Sequence, residues 1–275
     1  MVDENREIRD RVERIFDYTS TNYDTYIEKT MTLTSNLLLR EVNIPEKPTA
    51  LDVACGTGVS TLELIKRCNG RGTFIGVDIS RPMIEQAKEK ATKYPNVDLR
   101  FMLGDAESLD FPDSTFDLVI SNMSFHFFPN QTKALSEMFR VLKPGGQVAL
   151  LFHGMLSDHE VKDIVYRVTD YHPEYPEFKE NVKSFNRGFI GLEDTMALFQ
   201  IVGFVNLYIF GRHRIFFGVP DLDDINAYWG IWRSGVPREH WDEIKNEILS
   251  EFKVLSMNEG FRDSSYLIIG VGHKP

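Results

Sequence analysis

Between residues 49 and 153, short apolar runs alternate with amphipathic stretches. The runs fall at 50–54, 73–77, 97–103, 116–120 and 147–152, and each has the length of a buried strand. Between them, 59–67, 82–92 and 132–142 place their apolar residues on one helical face. Strands alternating with helices of this length predict a parallel sheet covered on both faces. Pro144-Gly145-Gly146 predicts a turn before the fifth strand.

The flanks read differently. Residues 3–17 predict a helix from the spacing of Ile8, Val12, Ile15 and Phe16. A polar, tyrosine-bearing stretch follows at 17–26, and a second helix carries Met31, Leu33 and residues 37–39. Pro45 and Pro48 mark a break. After 154 the alternation stops. Residues 155–190 are rich in His, Tyr, Phe and Glu, and Tyr171-His172-Pro173-Glu174-Tyr175-Pro176 predicts a loop. A helix is expected at 192–202, ending at Gly203; strand-type runs cover 204–219 and 264–272. Residues 221–252 read as helical and carry Trp229, Trp232 and Trp241.

The chain has 275 residues, long enough for one large core or a core with an appended lobe. Its formal charge of −10, with no Lys/Arg run, argues against a nucleic-acid partner. Cys55 and Cys68 are too few for a disulfide framework, and no metal site is expected. The charged N-terminus lacks a signal-peptide core and no run reaches membrane-span length, so a cytoplasmic location is expected.

The segment Leu51-Asp52-Val53-Ala54-Cys55-Gly56-Thr57-Gly58 lies where the first strand gives way to the first helix. Glycines there permit a tight turn and close ligand approach, and the helix start offers unpaired N–H groups. Asp78 ends the second strand 20 residues after Gly58, where a carboxylate accepts from ribose hydroxyls. A dinucleotide is disfavoured, because Thr61 stands where its fingerprint has a small residue and Asp52 would repel a pyrophosphate. Asp52 suits a cationic nucleoside. Gly104-Asp105-Ala106 follows the third strand, where Asp105 is an acceptor suited to an adenine amino group.

Four segments in this order resemble the class I S-adenosylmethionine-dependent methyltransferases, in the small-molecule branch that includes ubiquinone/menaquinone and natural-product methyltransferases. They are LDVACGTG at 51–58, GVDIS at 76–80 with PMIEQAK at 82–88, GDAESLDFPDSTFDLVISNMSFHFF at 104–128 and FRVLKPGGQVAL at 139–150. One departure is Ala54 before Cys55, where many members have Gly; the added methyl is expected to be tolerated. The resemblance implies a Rossmann-like α/β fold, a seven-stranded mostly parallel sheet with helices on both faces, a helical N-terminal lid and cap insertions. The expected division is a lid at 1–45, a cofactor-binding core at 46–154, and 155–275 completing the sheet with substrate-cap insertions at about 155–190 and 220–260.

The implied cofactor is S-adenosyl-L-methionine, with S-adenosyl-L-homocysteine as product. Asp52, Ala54, Gly56 and Gly58 would line its methionine end, and Asn122 would sit beside the methionyl portion. Asp78 would hold the ribose, with Ile79 and Met83 on the adenine. Asp105 and the Ala106 N–H would meet the adenine edge, and Tyr23 would close over the cofactor.

In-line methyl transfer draws much of its rate from positioning, so the protein need add only a general base when the acceptor must lose a proton. His126 and His153, after the fourth and fifth strands, are the candidates; each is also a plausible loop residue. The expected acceptor is a small aromatic or apolar metabolite, with O-methylation favoured over C- or N-methylation. Aromatic residues Tyr166, Tyr171, Tyr175, Phe178, Phe185, Phe189, Tyr228, Trp229 and Trp232 would cover it or form the core of a helical cap. A non-catalytic cofactor-binding module and a protein or RNA methyltransferase are the alternatives, and a homodimer is open.

Overall fold

A computed structural model describes residues 4–155, 158–184, 188–218, 233–258 and 261–275. The chain opens with α1, Glu4–Arg40, one continuous helix where the sequence pattern suggested two. The polar stretch stays helical because tertiary contacts hold it, Ser80 and Thr57 donating to Asp17 and Asp24, while the Thr19 and Ser20 hydroxyls bond back one turn to the Phe16 and Asp17 carbonyls.

Next come β1 (Thr49–Val53), α2 (Val59–Arg67), β2 (Thr73–Asp78), α3 (Arg81–Ala91), β3 (Asp98–Leu103), β4 (Phe116–Asn122), α4 (Gln131–Val141) and β5 (Leu142–His153). Ser80 caps α3 by accepting from the Met83 N–H, with Pro82 in the first turn; Asn130 caps α4 by accepting from the Lys133 N–H. Pro144-Gly145-Gly146 lies inside the span of β5 instead of before it. The extra residues are absorbed by a register shift against β4 between Phe116 and Leu118, with Gly145 at φ +78°.

The later elements are β6 (Asp158–His159), α5 (Glu160–Tyr171), α6 (Pro176–Ser184), α7 (Leu192–Val202), β7 (Val205–Gly218), α8 (Trp241–Asn258) and β8 (Phe261–His273). Seven long strands run in the order β3-β2-β1-β4-β5-β8-β7, and the two-residue β6 also pairs with β8. The first five are parallel; β8 is antiparallel to β5, β6 and β7. This is the Rossmann-like, mostly parallel sheet, with helices on both faces.

Side chains alternate across that sheet. Leu51, Val53, Val119, Val148 and Leu150 pack on one face with α4 and α7, through Leu135, Met138 and Phe199. Ala50, Leu118, Ile120 and Leu151 pack on the other with Leu38 and Leu39 of α1 and Leu64 and Ile65 of α2. A separate apolar cluster joins Ile164, Val165 and Val168 of α5, Phe178 and Val182 of α6, Val236, and Ile244 and Ile248 of α8. Among the described residues no helix is long and apolar enough to cross a membrane.

Candidate active site

Strand order reverses at β1, whose neighbours are β2 and β4, and such a point leaves a crevice at the carboxyl tips. A cavity of about 750 Å³, mouth included, lies there, walled by the turns after β1, β2 and β3 and the end of β4, and roofed by α1. Its lining of apolar side chains with a few polar groups suits a small organic ligand.

The turn after β1 sets the floor. Ala54, Gly56 and Gly58 have φ of +58°, +54° and +85°, all left-handed. A Cβ on Gly56 would meet no atom within 4 Å, so this residue opens the cavity. Gly58 is the N-cap of α2 and does not reach the wall; a Cβ there would stand 2.6 Å from the Phe101 ring. Its glycine serves close packing and the start of the helix. Ala54 lines the wall, and its methyl is carried in a conformation that costs an L-residue about 1 kcal/mol. The turn carries this alanine at that modest backbone cost.

Two buried aspartates stand below the turn. Asp78 lines the cavity, and its oxygens accept from the Gly56 N–H at 2.8 Å and the Ser80 N–H at 2.9 Å. Burial pushes its pKa up to about 6, against the opposing pull of those N–H groups. Asp52 stays off the wall. Its Oδ2 accepts from the Thr61 hydroxyl at 2.6 Å, and its Oδ1 is buried without a hydrogen-bond partner among the described residues. Burial pushes Asp52 up to about 7, with the Asp78 charge adding to the rise and the Thr61 hydroxyl opposing it. An orphaned carboxylate oxygen behind an open glycine turn fits a ligand that brings positive charge. Thr61, which looked out of place for a dinucleotide turn, is the hydroxyl that anchors Asp52.

Ile79, Met83, Asp105, Ala106, Asn122 and Tyr23 all line the cavity. The Asn122 amide donates to the hydroxyls of Thr34, Ser35 and Ser60 at 3.0–3.2 Å, which ties the tip of β4 to α1 and α2. Tyr23 lies edge-on to Phe16, and burial with two nearby aspartates raises its phenol well above the ordinary range. Asp105 is already engaged by Arg9, whose Nε lies 3.1 Å from Oδ2.

His126 and His153 do not reach this wall, but they meet each other. Both are buried, with ring centroids 5.4 Å apart, and Phe189 stacks on His153. His126 also packs on Phe127, which does line the cavity. Of the aromatic residues expected over the acceptor, Phe178 is core of the α5–α6–α8 cluster and Tyr171 is exposed. Phe185, Tyr228, Trp229 and Trp232 lie outside the described residues.

Sequence reasoning missed Arg9, Val12 and Phe16, which form the roof with Tyr23. Positions 9, 12, 16 and 23 share one helical face. Tyr23 joins that stripe because α1 continues as one helix through the polar stretch. The roof is held by polar contacts: Ser80 donates to Asp17 at 2.6 Å, Gln86 to the Ser20 carbonyl at 2.7 Å, and Thr57 to Asp24 at 2.6 Å, with Lys90 paired to Asp24.

Comparison with known proteins agrees with this geometry. A family model described as a methyltransferase domain matches residues 50–146. A demethylmenaquinone methyltransferase of Bacillus licheniformis is 31% identical over 217 residues, covering 72% of this chain and 89% of its own. The fold also matches the YcgJ protein of Bacillus subtilis, with a TM-score of 0.59 at 20% identity, covering 88% of this chain and 98% of that one. The Haemonchus contortus phosphoethanolamine N-methyltransferase 2 in complex with S-adenosyl-L-methionine matches with a TM-score of 0.63 at 18% identity, covering 100% of this chain and 60% of that one. With its switch-point cavity, its glycine turn and this relationship, the chain belongs to the class I S-adenosylmethionine-dependent methyltransferases of the small-molecule branch, an enzyme family whose cofactor is S-adenosylmethionine.

Proposed function

We propose that this enzyme methylates a hydroxylated aromatic acceptor of the quinol type, with His126 or His153 as the general base. The observation that carries the reading is the buried apposition of these histidines, with His126 packed on Phe127 of the cavity wall. The relative named demethylmenaquinone methyltransferase supports a quinone-related acceptor.

When bound, S-adenosylmethionine supplies a methyl group on a sulfonium, open to displacement by a nucleophile. In this proposal Asp78 holds the ribose hydroxyls, Asp105 and the Ala106 N–H meet the adenine edge, and Ile79 and Met83 pack on its faces. Ala54, Gly56 and Asn122 line the methionine end, Gly58 starts the helix behind it, and Asp52, buried behind the wall, complements an ammonium group by its charge. Tyr23 and the rest of the roof exclude water. Residues 155–275 complete the sheet and supply the cap over the acceptor.

A phenolic hydroxyl ionises near pH 10, so at neutral pH it needs a base. One imidazole takes the proton from the acceptor hydroxyl onto a ring nitrogen. The resulting phenolate is nucleophilic at oxygen and at the adjacent ring carbons, so one base serves either methylation. Turnover of His126→Gln and His153→Gln on a water-soluble naphthoquinol tests the assignment. One variant should lose about 10²–10³ in kcat while cofactor affinity is kept. Near-normal rates in both remove the base, and no labelled methyl on any quinol removes the acceptor class.

A further inference from the structure

Arg9, on the first turns of the roof helix, sits between two carboxylates at the tip of β3. Its Nε lies 3.1 Å from Asp105 Oδ2, out of line for a hydrogen bond, so that contact is charge attraction. Its Nη2 donates to Glu107 Oε2 at 3.2 Å. Glu107 returns the connection, because its backbone N–H donates to Asp105 Oδ1 at 2.9 Å. The remaining Glu107 oxygen accepts from the Asn130 N–H at 2.8 Å. Arg9, Asp105 and Glu107 thus close a ring on the wall of the cavity.

The Glu107 side chain is only 3% exposed, and Arg9 is the cation paired with it among the described residues. Two carboxylates two positions apart repel each other, and a buried carboxylate is costly without a partner. Arg9 meets both needs with one rigid fork. Each carboxylate oxygen accepts more than one hydrogen bond, so Asp105 keeps capacity for a ligand donor while Arg9 and the Glu107 N–H fix its plane.

We propose that Arg9 is a positioning residue for the cofactor: through its ion pairs with Asp105 and Glu107 it orients the Asp105 carboxylate toward the adenine amino group, and so sets the preference for a 6-amino purine. This rests on the reading that the cavity holds the adenosyl end.

The test compares binding of S-adenosylhomocysteine and S-inosylhomocysteine, in which an oxo group replaces the amino group, by titration calorimetry. The wild type should prefer the amino form. Arg9→Ala should lower that ratio by roughly tenfold or more, and Arg9→Lys should restore part of it. A purely structural role would weaken both ligands alike, so an unchanged ratio in a folded Arg9→Ala overturns the proposal. If Arg9→Ala melts below the assay temperature, Arg9→Met, which keeps the packing stem, carries the same criterion. Failure of both to fold assigns Arg9 to stability alone and overturns it too. A wild type that binds neither nucleoside defeats the underlying adenosyl reading; one that binds both with a variant-independent ratio defeats only the role of Arg9.

Discussion

The two sides of the cleft are assembled differently. On the β1–β3 side each wall residue follows its own strand within a few positions: Ala54 and Gly56 after β1, Ile79 after β2, Asp105 and Ala106 after β3. On the β4–β5 side the wall itself, Asn122 to Ser124 and Phe127 to Pro129, also follows its strand, but behind it His126 and His153 are brought together by parallel pairing of β4 with β5, and Phe189 joins them from a segment 36 residues beyond His153. The α5–α6–α8 cluster has an apolar core of its own and touches the roof helix where Trp241 packs on Tyr18. The first side is a set of local turns on a rigid sheet. The niche behind the second is a product of long-range packing.

The strongest way to break that contrast is to damage the helical cluster alone. Phe178 is fully buried there, and Phe178→Ala should cost about 4 kcal/mol of local stability. Proteolytic cleavage within 160–184 should rise sharply while S-adenosylhomocysteine affinity stays within about threefold, because the cluster meets the roof helix at Tyr18, through Trp241 and Arg233, and Tyr18 is not on the cavity wall. A tenfold loss of affinity would mean that the two sides are one unit.

A smaller effect sharpens the chemistry of the first side. Asp52 and Asp78 are pushed up to about 7 and about 6 from an ordinary 3.8. Over that interval the native carboxyls retain protons that the unfolded ones have released. The native state then binds more protons, so stability falls as pH rises from about 4 to about 7. The ligand-free enzyme should melt lower at pH 7.5 than at pH 5.5, and Asp52→Asn should flatten the slope. Equal slopes in the two proteins would remove Asp52 as its source. A cationic cofactor favours the ionised carboxylate and should bind more tightly at the higher pH.

The smallest effect lies at the glycine turn. Ala54→Gly relieves a left-handed alanine and should raise unfolding free energy by about 1 kcal/mol, less the entropy glycine adds to the unfolded chain. A loss of stability in denaturant titration would show that the Ala54 methyl packs usefully.

The strand–helix alternation was legible because buried parallel strands read as continuous apolar runs, and the glycine turn because only certain residues adopt its backbone. α1 was misread as two helices, since its middle is polar. Two of those polar groups, Asp17 and Asp24, are spent on contacts to Ser80, Thr57 and Lys90 that no local pattern reveals. Arg9 was missed for the same reason: its partners Asp105 and Glu107 lie almost a hundred residues away.

By itself, then, the amino-acid sequence determined the sheet, the left-handed turn after β1 and the acids at the tips of β2 and β3. Each of these depends on neighbouring residues and on periodicity. Tertiary structure alone decided that Asp52 lies behind the wall, that one helix roofs the cavity, and that two histidines share a buried niche. Those outcomes depend on which distant surfaces exclude water from one another, and chain order carries no record of that.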